Sequence, residues 1–406
     1  MRKIVYLITQ PLDERNYDRF GIQAWIDRGW EVEVWDLTPL VYPRTWRHLL
    51  EAGQEFKEFA GYFPITTKNQ LECRYSGFKK ETYFNDLSGD SYFLIRVKMR
   101  LIRMGGKRIT FVTTSIPLGD KQKCGFVCKL NKVIKWGFIK SSQLFFDKLL
   151  HKLASHFIKP DLVVVTGEKS IPSAGYGQEI LKAHNLDYDL YLQLKKQTDT
   201  STTSEYAVFI DQNYCFHPEY ISENISPWFT PEEYYPAVCN GLRRISEALG
   251  VGLRIAAHPR TPDKQQTIGC FEGIPVEFGR TAELIRDCKV VIGHFSAATQ
   301  FAVLFGKPVI FLDMGGDKSS FFRQYAEIFA TALGKSVIHL DGDLDNVDWQ
   351  KELFVDLKKY AEYKNKYIKI DGSPEIPSWD IVINYVEASG KQISASTGSD
   401  DAHPAV

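Results

Sequence analysis

The chain reads as an α/β protein built from two doubly wound domains in tandem, and three observations predict it. Apolar runs of strand length alternate with amphipathic stretches of helix length along most of its 406 residues. A strand–helix–strand unit opens the chain, and a second β/α series begins after a polar segment near the middle. The length itself suits two ordinary domains better than one core.

The elements follow in order. Ile4 to Ile8 is a buried first strand, Phe20 to Arg28 a short helix, and WEVEVWDL (30–37) alternates as a second strand. Residues 40–105 are aromatic-rich and give no clear period. RITFVTT (108–114) and DLVVVTGEKS (161–170) are further buried strands, the latter running straight into Thr166, Gly167 and Glu168. KKQTDTSTTSE (195–205) has the composition of a linker. Beyond it come YAVFIDQ (206–212), a helix from Pro231 to Leu249, LRIAAHPR (253–260), PVEF (275–278), TAELIRDC, KVVIGHFS (289–296), ATQFAVLF and KPVIFLD (307–313). Strands separated by short amphipathic helices imply parallel sheets covered on both faces, with ligands at the carboxyl ends of the strands. The predicted organisation is a first domain over 1–200 and a second over 201–375. A helix over 376–390, containing SWDIVINYVE, crosses back to the first domain, and a polar disordered tail covers 391–406.

Composition narrows the function classes. Hydrophobic and charged fractions of 44% and 25% are those of a soluble globular protein. The formal net charge of +0 gives no case for nucleic acid as a partner. Seven cysteines (Cys73, Cys124, Cys128, Cys215, Cys239, Cys270, Cys288) lie scattered without a C-x-x-C pair, which indicates neither a zinc site nor a disulfide framework and suits a cytoplasmic compartment. The N-terminal apolar run is too short for a signal peptide, and no run approaches the length of a membrane span.

Candidate chemistry gathers at strand ends. In KVVIGHFSAATQFAVLF a buried strand ends at Gly293 and His294, Ser296 stands at the N-cap position, and a helix is expected over Ala297 to Phe305. Free N–H groups at such a helix start attract anions, and Ser296 and Thr299 add hydroxyls. His258, Pro259 and Arg260 leave a strand of the same sheet on the same edge. An imidazole, a guanidinium and a serine-headed helix together describe a site for one phosphate. The plain alternatives are an ordinary N-cap and a structural histidine. His217-Pro218 repeats the His-Pro pair but follows a loop and is read as structural.

A His-Pro pair after a strand of the second domain, followed by a Ser/Thr-headed helix, resembles the donor site of GT-B glycosyltransferases that use CMP-activated sugars. The phrases FIDQNYCFHPEY, AAHPR and RTAELIRDCKVVIGHFSAATQFAVLFGKPVIFL are similar to bacterial sialyl-, polysialyl- and Kdo transferases of surface polysaccharide synthesis. The resemblance covers residues 206–315. It implies a GT-B fold of two Rossmann-like domains facing a cleft, and a donor such as CMP-Kdo held by His258, Pro259, Arg260, His294, Ser296 and Thr299. Two departures stand out: Ser296 is single where many relatives carry a Ser-Ser or Ser-Thr pair, and the first domain lacks a clean acidic-acidic-glycine motif. A CMP-sugar carries one phosphate, which a histidine and a helix start can neutralise without a metal, and no ligand cluster stands out in the sequence.

Two carboxylates end strands on opposite walls: Asp211 after YAVFI and Glu168 after LVVVTG. Their separation decides between two routes. In a retaining double displacement, the favoured reading and the one nearest the β-Kdo transferases, Asp211 attacks the anomeric carbon and Glu168 serves as acid and base. In an inverting route Glu168, Asp13 or Glu14 acts only as base. The competing structural roles are an Asx turn for Asp211 and a helix cap or a salt bridge to Lys169 for Glu168. Gln10, Asp13, Glu14 and Arg15, in the first loop, are candidate contacts for acceptor or sugar. Between Arg96 and Lys152 fourteen Lys/Arg face only Asp120 and Asp147, either as a solvated face or as an attachment to an anionic membrane surface that carries a lipid-linked glycan acceptor. Other functions compatible with the pattern are a CDP-polyol phosphotransferase, a UDP-sugar 2-epimerase and a non-catalytic sugar-nucleotide-binding subunit.

Overall fold

In the computed structural model the described residues are 2–397, apart from 52, 54, 114–116, 118–156, 175–176, 198–203, 218–219, 221–225, 260, 262 and 317–319. Most of the basic segment 96–152, part of the linker and Arg260 therefore lie outside them.

Two all-parallel sheets organise the chain. The first comprises β1 (Lys3–Ile8), β2 (Glu31–Asp36), β3 (Tyr62–Pro64), β4 (Tyr83–Asp86), β5 (Lys107–Val112), β6 (Leu162–Val165) and β7 (Glu179–Lys182), in the order β3-β2-β1-β4-β5-β6-β7. The second holds β8 (Tyr206–Ile210), β9 (Gly252–Ala256), β10 (Val276–Glu277), β11 (Val290–Gly293), β12 (Val309–Asp313) and β13 (Val337–His339), in the order β10-β9-β8-β11-β12-β13. Strand order reverses between β1 and β4 and again between β8 and β11, and a crevice opens at such points past the carboxyl ends of the strands. The fold is thus the expected pair of doubly wound Rossmann-like domains, a GT-B architecture. The strands β6, β8, β11 and β12 are buried at every position, as fully covered parallel strands must be.

Several local expectations change. The helix predicted over Phe20 to Arg28 is the shorter Ile22–Asp27, and a further helix, Glu14–Arg19, forms within the expected first loop, the two separated at Gly21 with φ 62°. A Cβ on Gly21 would sit 2.2 Å from the Trp379 ring, so glycine serves both the left-handed turn and the close approach. The unparsed region contains β3 and β4 and the helices Pro43–Glu51, Lys68–Ser76 and Tyr92–Arg103. Two members of the basic stretch are interior rather than solvated. Lys98 and Arg108 meet the buried Asp86 at 2.9 and 2.5 Å. Burial pushes the Asp86 carboxyl up, but Lys98 and Arg108 outweigh it and hold it below its ordinary range.

The closing helix runs Ser378–Thr397, so 391–397, expected as disordered tail, continues it. Trp379, Val382, Ile383 and Val386 pack with Tyr6, Phe20 and Trp25 of the first domain, and the Trp379 indole N–H donates to Arg19 O at 2.9 Å. Two crossings link the domains. His184 pairs antiparallel with Lys369, and the Ser378 N–H donates to Asp189 Oδ1 at 2.8 Å. The Asn185 amide donates to Gln300 of the second domain, which in turn donates to Asp187 at 2.6 Å.

Truncating Trp379 to Ala is expected to cost about 3–5 kcal/mol, the usual loss for a buried indole, as measured by urea unfolding. Asp189 gives a signed pH effect. Burial, helped by Asp380 and Asp187 and opposed by the Ser378 N–H, raises its carboxyl to about 7. The folded state therefore holds this proton more tightly than the unfolded chain, where an aspartate titrates near about 4. The stabilisation is full below about pH 4 and disappears as pH rises through 7. Asp189→Asn should accordingly gain stability relative to the parent as pH rises from 4 to 7 in isothermal denaturation, and a parallel pair of profiles would contradict this.

Candidate functional site

The exits of β9, β8 and β11 lie side by side on one edge of the second sheet. Asp211 stands in the middle of them, 2% exposed. Its Oδ1 accepts from the Asn213 N–H at 2.9 Å, and the backbone N–H groups of His258 and Gln212 also donate to the carboxylate. Burial raises the Asp211 carboxyl to about 6, and these three N–H bonds restrain the rise. The Asx turn weighed as an alternative is present. Asp211 thus stands as an anchor of these loops, and at 2% exposure its carboxylate is not open to an anomeric carbon, against the nucleophile role expected of it. Its position holds the backbone of His258, whose ring is half-buried, while Pro259 is exposed.

Gln212, which sequence reasoning passed over, ties β8 to β11. Its Oε1 accepts from the Phe295 N–H at 3.1 Å and the Tyr214 hydroxyl at 2.6 Å, and its Nε2 donates to Phe295 O. The loop after β11 also departs from expectation. Ser296 is not an N-cap: the helix is Thr299–Phe305 with Ala298 at the cap. Ser296 Oγ accepts from the Ala298 N–H at 3.2 Å, and the N–H groups of Thr299, Gln300 and Phe301 bond to the carbonyls of Ser296, Ala297 and Ala298. The N–H groups that were to face an anion are thus used within a tight turn. Thr299 points inward at 3% exposure, leaving the half-buried Ser296 hydroxyl as the polar group at this exit.

His294 is a core residue rather than a donor contact, 2% exposed. Its Nδ1 lies 2.7 Å from Leu312 O and so carries the hydrogen, while Nε2, 3.0 Å from the Tyr234 hydroxyl, accepts. Burial pushes its pKa down to about 4 against the pull of Leu312 O and Asp313, so the ring is neutral at pH 7. Two further histidines do reach this edge. The ring of His217 lies 4.9 Å from that of His258 in edge contact. His339 Nδ1 and Arg323 Nε both lie 3.0 Å from Oδ2 of the buried Asp313 at the exits of β12 and β13.

On the first domain Glu168 is exposed and opens the short 3-10 turn Glu168–Ser170, forming neither a side-chain cap nor a bridge to Lys169. The adjacent Gly167 fits closely against the returning chain, where a Cβ would sit 2.4 Å from Lys366 O. Of the first-loop candidates, Asp13 caps Glu14–Arg19 through the Asn16 N–H at 2.7 Å, and Glu14 pairs with Lys57 at 2.7 Å. Those two carboxylates are occupied. Gln10 is half-buried and Arg15 exposed. Among the described residues no group of three His, Cys, Asp or Glu side chains gathers as a metal set, and no helix is long and apolar enough to cross a membrane.

No protein-family model matches the chain, and no curated protein matches it by sequence. Solved structures do. A putative UDP-N-acetylglucosamine 2-epimerase from Listeria monocytogenes is 11% identical, with coverage of 100% of this chain and 99% of its own and a TM-score of 0.49. The S. aureus MnaA–UDP structure is 11% identical over 96% of this chain and 97% of its own, TM-score 0.49. Acinetobacter baumannii MurG is 9% identical over 96% and 100%, TM-score 0.46. These are likenesses of fold; strand order and register in this chain carry the architecture by themselves.

If Asp211 anchors rather than attacks, Asp211→Asn, which keeps an oxygen acceptor, should hold nucleotide affinity within about tenfold, whereas Asp211→Ala leaves its buried N–H donors unpaired and should lose about 1–3 kcal/mol of stability. Calorimetric titration and thermal unfolding read the two effects.

Proposed function

We propose that this chain is a glycosyltransferase that moves a sugar acid, Kdo or a related nonulosonate, from its CMP donor to a surface glycan. The observation that carries the reading is the half-buried His258, its backbone fixed by Asp211, two strands from the Ser296 hydroxyl on the edge where the strand order reverses. Strand spacing puts these two exits about 10 Å apart, a span suited to a phosphate and its attached groups. The polar groups at these two exits can hold a single donor phosphate, the number a CMP-sugar carries.

With Asp211 buried beneath its own loop, we take direct displacement in place of the double displacement. Glu168, the exposed carboxylate at the β6 exit, takes the proton from the acceptor hydroxyl. That oxygen attacks the anomeric carbon as the bond to the phosphate oxygen breaks, and the electron pair leaves on CMP beside His258. Such a transfer inverts the anomeric configuration. The Glu168 carboxylate then returns its proton to water.

Thermal unfolding with CMP, CDP and UDP tests the donor: stabilisation by CMP above the other two is expected, and a shift confined to CDP or UDP would replace the donor class. Glu168→Gln should lower transfer by about 10²–10⁴-fold with CMP affinity kept, the range usual for loss of a general base. Unchanged turnover in that variant removes Glu168 from the mechanism.

A further inference from the structure

The second domain contains two His-Pro pairs, and the fold joins their imidazoles. β8 and β9 are hydrogen-bonded neighbours, so the loops carrying His217 and His258 leave the sheet side by side. The two rings meet at a centroid separation of 4.9 Å and an interplanar angle of 62°, and both residues are half-buried. One carboxylate roots both loops: Asp211 accepts the Asn213 N–H on the way to His217 and the N–H of His258 itself.

A second observation points to a ligand. Asp211 Oδ2, both amide atoms of Asn213 and the Thr261 hydroxyl are buried without a hydrogen-bond partner, and all belong to these two loops. Asn213 is fully buried and held at φ 51°. A buried polar group left unmatched and left-handed backbone at a non-glycine residue both cost stability, and such costs gather where a bound group offsets them. Thr261 closes a turn onto His258 O at 3.1 Å, so its hydroxyl belongs to the His258 loop.

We propose that His217 and His258 form a paired-imidazole site for a phosphate ester, with His217 a second ligand of the donor phosphate. In the proposed complex each imidazole turns one N–H to a different phosphate oxygen, and the polar atoms of Asn213 and Thr261 lie on the loops that hold the rings. No third His, Cys, Asp or Glu among the described residues completes a metal set here. The inference rests on the reading that the second domain holds its donor through the phosphate.

Calorimetric titration of the full chain with CMP, and separately with UDP, tests it in His217→Gln, His258→Gln and the double variant. Each single change should weaken CMP binding by about tenfold or more, the loss of one hydrogen bond to a charged group. The double variant should lose clearly less than the product of the two, because residues in contact act as a unit. The melting temperature without nucleotide should stay unchanged. His217→Phe keeps a ring against His258 should glutamine loosen the loop, and it too should bind CMP weakly. Parental affinity in both His217 variants, or strictly multiplicative losses, overturns the pair while the donor reading stands. Binding of UDP but not CMP, with the same dependence on His217, keeps the pair and removes the CMP reading. Absence of binding to either nucleotide removes both.

Discussion

The buried carboxylate of Asp211 is the constraint on which the second domain's edge depends. Burying it opposes its charge, and the N–H groups of Gln212, Asn213 and His258 oppose that penalty. One of those donors belongs to a different strand exit, so the carboxylate joins β8 to β9 in a way that the sheet hydrogen bonds, which stop at the strand ends, cannot. Gln212 repeats the arrangement toward β11 by bonding both the N–H and the carbonyl of Phe295. His294 continues it inward through Leu312 O and the Tyr234 hydroxyl. Three loops that would otherwise move separately are held by side chains bonded to backbone, and the half-buried His258 and Ser296 are carried on this frame.

The two domains are coupled by polar contacts at their crossings and by one apolar seam. The Asn185–Gln300–Asp187 chain and the Ser378–Asp189 bond fix where the chain leaves and returns. The helix Ser378–Thr397 then buries Trp379 between Tyr6 and Phe111, and Gly21 makes room for the indole. Gly167 meets the returning chain at Lys366, which places the Glu168 turn beside the same crossing. Apolar burial holds the last helix to the first domain, while the site on the second domain is held by hydrogen bonds. The two depend on different forces.

Much of the fold was legible because a covered parallel strand is a purely local signal. Ile4–Ile8, Tyr206–Ile210, Val290–Gly293 and Val309–Asp313 are short apolar runs that no helix of the same composition would end so abruptly. Edge elements were not legible. β7, exposed along most of its length, and the three-residue β13 have no pattern long enough to read. Lys98 and Arg108 looked like surface charges because nothing near them in sequence shows that Asp86 lies between them. The helix start after Ser296 was misplaced because a serine before an apolar run also suits a turn. The first N–H groups bonded within that turn rather than to a cap.

By itself the sequence determined the two β/α series, the strand exits and the set of polar residues at them, since each follows from local periodicity and the residue that interrupts it. Only the tertiary structure decided which of those residues look outward. Asp211 and His294 turned in, Glu168 stayed exposed, and His217 met His258. The reason is physical: the burial and pairing of a loop side chain are set by whatever the neighbouring strand delivers to the same edge, and the parallel crossovers bring that neighbour from some 40 to 80 residues away.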